Sequence, residues 1–167
     1  MFSVSEICDL AIRIEKNGEK VYRQALAATE DPVLRELFRW LAEEESRHIQ
    51  WFSRFREEHQ RTGMVSADPV DSPELLNILG RETFSLNTPD LTSASPEEVI
   101  EKAVEFEQDT ALFYGFIQAF VQDPAIRGEL DEIIAEEERH AENLKKSLRK
   151  KIDEPLGDGH DAKKASR

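Results

Sequence analysis

The sequence EESRH at residues 44–48 recurs as EEERH at residues 136–140, 92 positions later. Both copies contain the pattern Glu-x-x-His and lie in segments with helical periodicity. A glutamate and a histidine three residues apart lie on one face of an α-helix, about 5–6 Å apart at Cβ. A single pair of this kind is usually a solvated surface pair. Two equivalent pairs indicate a repeated set of metal ligands.

In each repeat, another glutamate lies thirty residues before the glutamate of the Glu-x-x-His pair. A tyrosine follows that earlier glutamate by seven residues. The two sets are Glu15, Tyr22, Glu45, His48 and Glu107, Tyr114, Glu137, His140. Further identities occur at the same offset, including Asp31-Pro32 with Asp123-Pro124. An internal duplication explains them, and it implies a pseudo-two-fold axis.

Four stretches have apolar residues spaced by threes and fours, which is typical of amphipathic helices. The helices are predicted at about 5–28, 32–61, 96–122 and 124–152. The first and last connections are tight, whereas the 62–95 crossover between helices two and three is long, with a short helix predicted over 73–79. This pattern predicts an all-α, ferritin-like four-helix bundle over residues 1–153, with duplicated helix hairpins. Residues 154–167 are predicted to form a disordered tail.

The register of each hairpin predicts that the polar residues meet. Glu15 and His48 are equidistant from the turn at Asp31-Pro32, and the second repeat has the same relation. Residues equidistant from such a turn lie at one level, here roughly 24 Å from it. The apolar stripes of the helices also run through these positions. The side chains predicted to point inward are Glu15, Glu45, His48, Glu107, Glu137 and His140.

Four buried carboxylates repel one another, and burial of each one unpaired costs several kcal/mol. Two divalent cations would cancel their charge, so bound metal makes the pattern compatible with a folded core. Carboxylate and imidazole ligands accept zinc and manganese as well as iron, and the ligand set alone leaves the metal open.

Composition excludes several other functions. The net charge of −13 argues against nucleic-acid binding, although solubility is the plainest reason for an acidic surface. Cys8 is the single cysteine, which rules out an intrachain disulfide or a cysteine-ligated cluster. The sequence has no signal-peptide pattern and no apolar run long enough for a membrane span, so a cytoplasmic location without membrane association is expected.

Several polar and aromatic residues near the motifs are predicted to be ordinary. An outer-face position is predicted for Glu43, Glu44, Glu136 and Glu138. Packing or dimer contacts are predicted for Trp40 and Trp51. His59 and His160 have no partner in the other repeat.

The motifs resemble those of the ferritin-like di-iron carboxylate superfamily, most closely its rubrerythrin branch, over roughly residues 3–152. The resemblance implies two iron ions bound by the six inward-facing residues, with Glu45 and Glu137 bridging them. It also implies that Tyr22 and Tyr114 hydrogen-bond to ligand carboxylates. The family has an additional glutamate on its third helix, where this chain has Asp109 and Thr110 after Glu107 but no glutamate. Glu19, one helical turn after Glu15, is either its replacement from the other repeat or an ordinary polar residue.

The resemblance implies reduction of hydrogen peroxide or dioxygen at the iron pair. Full-length rubrerythrins carry a four-cysteine rubredoxin domain, which a chain with one cysteine lacks. Electrons are therefore expected from an external donor such as a rubredoxin-type protein. A homodimer is expected, and the long crossover would permit exchange of a helix pair between chains. Two alternatives stay open: a ferroxidase or other iron-handling protein, and a metal-binding structural bundle without redox turnover.

Overall fold

The computed structural model describes residues 4–62, 95–119, 121 and 123–153. They form four α-helices: α1 (Val4–Ala28), α2 (Pro32–Thr62), α3 (Pro96–Gln118) and α4 (Pro124–Asp153). In this part of the chain, none of the helices has the length and apolar character that a membrane span requires. Residues 63–94, with the predicted short helix, and the predicted tail at 154–167 lie outside the described residues.

Side-chain caps fix where three of the helices begin. Asp31 accepts the backbone N–H groups of Val33 and Leu34, and Asp123 accepts that of Ala125, in the first turn of the helix that follows. Ser95 and Glu98 form a reciprocal capping box at the start of α3, with distances of 3.2 Å from the Glu98 nitrogen to Ser95 Oγ and 2.8 Å from the Ser95 nitrogen to the Glu98 carboxylate. Each cap satisfies donors that the helix itself leaves unpaired, and each precedes a proline at the first helical position.

The bundle consists of two hairpins, because α1 packs mainly on α2 and α3 mainly on α4. Two apolar clusters fill its interior, one at each end. One cluster includes Ile7, Ile14, Phe52, Phe113, Leu130 and Ile133. The other includes Ala25, Leu34, Leu41, Ile100, Ala103 and Leu144. Helix α2 ends beside the first cluster and α3 begins beside the second, at opposite ends of the bundle. The predicted fold is confirmed.

One helix boundary differs from the prediction. Helix α3 ends at Gln118, whereas the sequence predicted an end near Gln122. The backbone N–H groups of Ala119 and Val121 bond to carbonyls three residues back, which tightens the chain into a turn before α4. The Gln118 side chain then donates to Asp131 Oδ1 at 2.6 Å, which fastens the end of α3 to α4. Apolar periodicity continues past this point and does not reveal the turn.

Candidate metal centre

The four helices contribute to one polar cluster between the two apolar clusters. Glu15 lies on α1, Glu107 lies on α3, and α2 and α4 each supply a glutamate and a histidine. All six side chains are at most 3% exposed, although they are ionisable. They are the residues predicted to point inward, and the structure brings all six together: Glu15, Glu45, His48, Glu107, Glu137 and His140.

The cluster divides into two overlapping groups of potential ligands. The group named here the His48 position consists of Glu15, Glu45, His48 and Glu137. The group named the His140 position consists of Glu45, Glu107, Glu137 and His140. Within each group, one ligand atom from every residue lies within 4.8 Å of the others. Glu45 and Glu137 belong to both groups, which is the arrangement that two carboxylates bridging a pair of ions require.

The cluster is short of hydrogen-bond partners. Among the described residues, every buried side-chain nitrogen or oxygen without a hydrogen bond belongs to these six residues. The unpartnered atoms are Glu15 Oε2, both oxygens of Glu45, His48 Nδ1, Glu107 Oε2, both oxygens of Glu137, and His140 Nδ1. Buried polar groups are almost always satisfied in folded proteins. A set that combines six carboxylate oxygens and two imidazole nitrogens fits divalent transition metals such as iron, manganese or zinc.

Burial and electrostatic interactions inside the cluster shift the pKa values of its carboxylates in opposite directions. Burial and the charge of Glu15 raise the pKa of Glu45 well above its usual range. Burial and the charge of Glu137 raise the pKa of Glu107 to about 8. Burial also acts to raise the pKa of Glu137, but the nearby His140 and His48 outweigh it and hold the pKa well below its usual range. Of these three carboxylates, Glu137 is the one that its neighbours hold in the anionic form.

The two imidazoles both present Nδ1 to the carboxylates. His48 Nδ1 lies 2.9 Å from Glu137 Oε1, and His140 Nδ1 lies 3.3 Å from Glu137 Oε2. Burial lowers the pKa of His48, but the proximity of Glu137 and Glu15 outweighs it and raises the pKa to about 12. For His140, Glu107 and Glu137 likewise outweigh burial and raise the pKa to about 9. Positive charge at these two nitrogens, from protons or from metal ions, therefore stabilises the cluster.

The tyrosines link the two repeats. Tyr22 on α1 donates its hydroxyl hydrogen to Glu107 Oε1 on α3, and Tyr114 on α3 donates to Glu15 Oε1 on α1. Both phenols are at most 1% exposed, and burial with the adjacent carboxylate charges raises the pKa of each well above its usual range. Each glutamate is thus oriented by the tyrosine of the other repeat.

Two residues that the sequence placed on the outer face contribute to the surroundings of the cluster. Glu44 is 6% exposed and forms an ion pair with Arg47, so its predicted outer-face position is wrong. Glu136 is half-buried, and its Oε2 lies 3.0 Å from Nε2 of His48. Both residues precede a glutamate of the cluster by one position, which rotates them by about 100° around the helix axis, towards the neighbouring helix of the α2–α4 pair. The identity of Glu44 and Glu136 between the repeats was the signal that could have revealed them. Glu43 and Glu138 are exposed, as predicted.

A cleft of about 260 Å³ opens beside the cluster, lined by residues of α2 and α4 that include His140, Glu44 and Glu136. Trp40 also lines it, and its ring meets the His140 ring edge-on, with 5.0 Å between centroids. Trp40 therefore packs on a predicted ligand. Trp51 instead stacks on Phe55 and donates to Glu129.

Other predicted and unpredicted residues lie around the cluster. Glu19 pairs with Arg23 at 2.6 Å and is in neither ligand group, so its role as an additional ligand stays a prediction. Gly18 was not singled out from the sequence, yet a Cβ there would lie 3.1 Å from Glu45 Cδ. Thr110, its equivalent in the second repeat, is fully buried and donates to the Phe106 carbonyl at 2.9 Å. The side chain of His59 and all of His160 lie outside the described residues.

The fold and the cluster together define a ferritin-like four-helix bundle with a buried carboxylate–histidine centre of metal-binding composition. A solved Thermotoga maritima protein, described as a ferritin-like diiron-carboxylate protein, has a similar fold with a TM-score of 0.67 at 23% sequence identity; the match covers 90% of this chain and 97% of that one. Residues 6–71 match the family model for rubrerythrin, and this segment contains Glu15, Glu45 and His48. The predicted resemblance to rubrerythrins is thereby confirmed for the first hairpin. None of the curated proteins matches this chain significantly.

Proposed function

We propose that this protein is a rubrerythrin-like di-iron oxidoreductase that reduces hydrogen peroxide or dioxygen with electrons from an external donor. The observation that carries the proposal is the pair of overlapping ligand groups that share Glu45 and Glu137. A site for one structural ion would not need two shared carboxylates between two imidazoles. The rubrerythrin match over the first hairpin and the diiron description of the similar Thermotoga maritima protein support the same proposal.

Different residues of the chain would bind the metal ions, orient the carboxylates and exclude water at such a centre. Glu15 with His48 and Glu107 with His140 would each hold one ion, and Glu45 with Glu137 would hold both. When bound, two Fe(II) ions supply the two electrons that, with two protons, convert hydrogen peroxide into two water molecules. Tyr22 keeps Glu107 oriented by its hydrogen bond, as Tyr114 does for Glu15. The apolar clusters above and below exclude bulk water, which strengthens these interactions.

Anaerobic loading with Fe(II) followed by addition of hydrogen peroxide tests the proposal. The wild-type protein should bind two Fe(II) per chain and consume one peroxide per two Fe(II) oxidised. Glu45→Ala and His140→Ala should abolish rapid consumption, since each removes a member of the cluster. Glu43→Ala and Glu138→Ala are matched controls, because these glutamates are exposed and lie two residues from Glu45 and one residue from Glu137. Unchanged turnover in the cluster variants would contradict the proposal.

Iron handling is the second candidate, favoured by the fold shared with a protein described as ferritin-like. A ferroxidase would oxidise many Fe(II) ions per chain with dioxygen and accumulate ferric mineral. The proposed peroxide reductase would oxidise two Fe(II) ions per chain and would then need electrons from its donor before it could react again. A native mass measurement adds a second criterion: we propose a homodimer, and a large shell would favour storage. Persistent zinc occupancy with no reaction towards either oxidant would indicate a structural bundle instead.

A further inference from the structure

Helix α1 carries a row of cationic side chains on its outward face, in a protein whose net charge is −13. This row, named here the basic face, consists of four exposed residues: Arg13, Lys16, Lys20 and Arg23. Three of them line a shallow groove of about 400 Å³, together with Glu19, Gln24 and Ala27. Glu19 pairs with Arg23, and the groove thus has three cationic residues for one acidic residue.

The second repeat does not reproduce the basic face. The equivalent positions on α3, 92 residues later, are Glu105, Gln108, Leu112 and Gly115. Leu112 is 55% exposed there, in place of a lysine. The repeats share the residues of the metal centre and differ at all four of these surface positions. The basic face therefore belongs to one side of an otherwise duplicated framework.

The basic face lies directly outside the metal centre. Lys16 and Lys20 are rotated by roughly 100° and 140° around the helix axis from Glu15. Glu15 itself is fully buried, and its Oε2 lies 3.6 Å from His48 Nδ1. An α-helix with its side chains is about 10–12 Å across. A molecule seated on the basic face would therefore be separated from the His48 position by the thickness of one helix.

We infer that the basic face of α1 is the docking surface for an acidic one-electron carrier protein. The inference rests on the proposed function, in which electrons come from an external donor. Reduction of one peroxide to two water molecules takes two electrons and two protons. Two reduced carriers therefore have to dock in turn, each of them is oxidised by one electron, and each has to leave again. Encounters of this kind bury little surface, and complementary charge sets their rate and orientation.

Charge favours this partner over other anionic ones. The net negative charge of the protein repels an acidic carrier in general, whereas the basic face attracts it locally and directs it to the helix that carries Glu15. A membrane or a nucleic acid presents a large anionic surface, which the same net charge repels along its whole extent. A small acidic protein can instead contact one helix face alone.

Two double variants with the same change in charge test the inference. Lys16→Glu with Lys20→Glu reverses the basic face. Lys146→Glu with Lys150→Glu is the matched control, because these lysines are also exposed and four residues apart, near the end of α4. All four positions are on the surface, where substitutions usually change stability by no more than about 0.5 kcal/mol. The probe is an acidic rubredoxin, with zinc in place of its iron for binding and in the reduced iron form for electron transfer.

Binding of the zinc-loaded probe to the ¹⁵N-labelled full-length protein should shift amide resonances along residues 13–27. With the iron form, the second-order rate of reduction of the oxidised, iron-loaded protein should fall about 10-fold in the α1 variant and should lose most of its dependence on salt. The α4 variant should stay close to the wild type in both measurements.

Equal losses in the two variants would overturn the inference, since they would show an effect of net charge alone. Shifts centred on another helix, no binding to the wild type, or stronger binding to anionic phospholipid vesicles than to the probe would also overturn it. Failure of the Fe(II)-loaded wild type to consume peroxide would instead refute the proposed function, because binding of the zinc-loaded probe involves neither peroxide nor electron transfer.

Discussion

Replacement of Gly18 by alanine tests the closest packing around the cluster. A Cβ at this position would lie 2.8 Å from Phe106 Cε1 and 3.1 Å from Glu45 Cδ. The first distance is shorter than carbon atoms tolerate, and the Phe106 ring is 8% exposed inside the core. Either the Phe106 ring or the α1 backbone has to shift. The new Cβ also crowds the Glu45 carboxylate, which has to move as well. The substitution therefore disturbs a carboxylate that belongs to both ligand groups.

Two opposing effects set the size of the change in stability. Alanine is favoured over glycine in a helix interior by about 1 kcal/mol. Overpacking of a filled core typically costs about 1–3 kcal/mol. The expected net effect of Gly18→Ala on the free energy of unfolding is a loss of about 0–2 kcal/mol. Gly115 and Gly128 lie in α3 and α4 with open space where a Cβ would be, so alanine there should add about 1 kcal/mol.

Urea unfolding of the metal-free protein measures these differences, and Co(II) titration reports the displacement of Glu45. Gly18→Ala should be less stable than either control variant by about 1–3 kcal/mol and should bind both ions more weakly. The controls should keep wild-type affinity for both ions. The packing argument is refuted if Gly18→Ala is stabilised as much as the controls and binds two ions with unchanged affinity.

Three further predictions concern other groups. Tyr22→Phe leaves Glu107 Oε1 without its donor, so urea unfolding of the metal-free protein should show a loss of about 1–3 kcal/mol; an unchanged midpoint would contradict the role of the hydroxyl. Burial raises the pKa of the Cys8 thiol from 9.0 to about 12, so the protonated thiol stabilises the fold fully below pH 9 and this contribution disappears as the pH rises towards 12. Between pH 8 and pH 10 the free energy of unfolding of the wild type should fall by about 1.4 kcal/mol more than that of Cys8→Ala. Equal losses in the two proteins would contradict the raised pKa of the Cys8 thiol. Chelation of the metal should lower the unfolding temperature of the wild type, since free metal at about 100 times its Kd adds about 2.7 kcal/mol, whereas Glu45→Ala should not respond.

The repeated motifs made most of the cluster predictable from the sequence. Glu45 and His48 continue the apolar stripe of α2, and His48 lies as far from the Asp31-Pro32 turn as Glu15 does, so their meeting depends only on regular helices and a tight turn. These are local properties, which periodicity and capping residues encode directly. The second repeat then predicts the other half of the cluster by the same reasoning.

The residues around the cluster were harder to predict because their roles depend on contacts between hairpins. Periodicity places Glu136 beside the apolar stripe of α4, but its contact with His48 depends on the distance and angle between α2 and α4. The constraint on Gly18 comes largely from Phe106 on α3, which is remote in sequence. The early end of α3 at Gln118 likewise reflects the path of the chain into α4. None of these three features can be predicted from the spacing of apolar residues along the sequence.

The exchange of tyrosine hydrogen bonds between the repeats also bears on how such a protein arises. A solitary hairpin has no acceptor for its tyrosine, whereas two identical hairpins facing each other supply one in both directions. In an ancestral dimer of two identical hairpins, equivalent positions of the two copies must carry the same side chain. Fusion into one polypeptide removes this obligation, as the equivalent positions Gly18 and Thr110 illustrate. The fused molecule can keep a symmetric framework while mutation assigns separate tasks to the His48 and His140 positions.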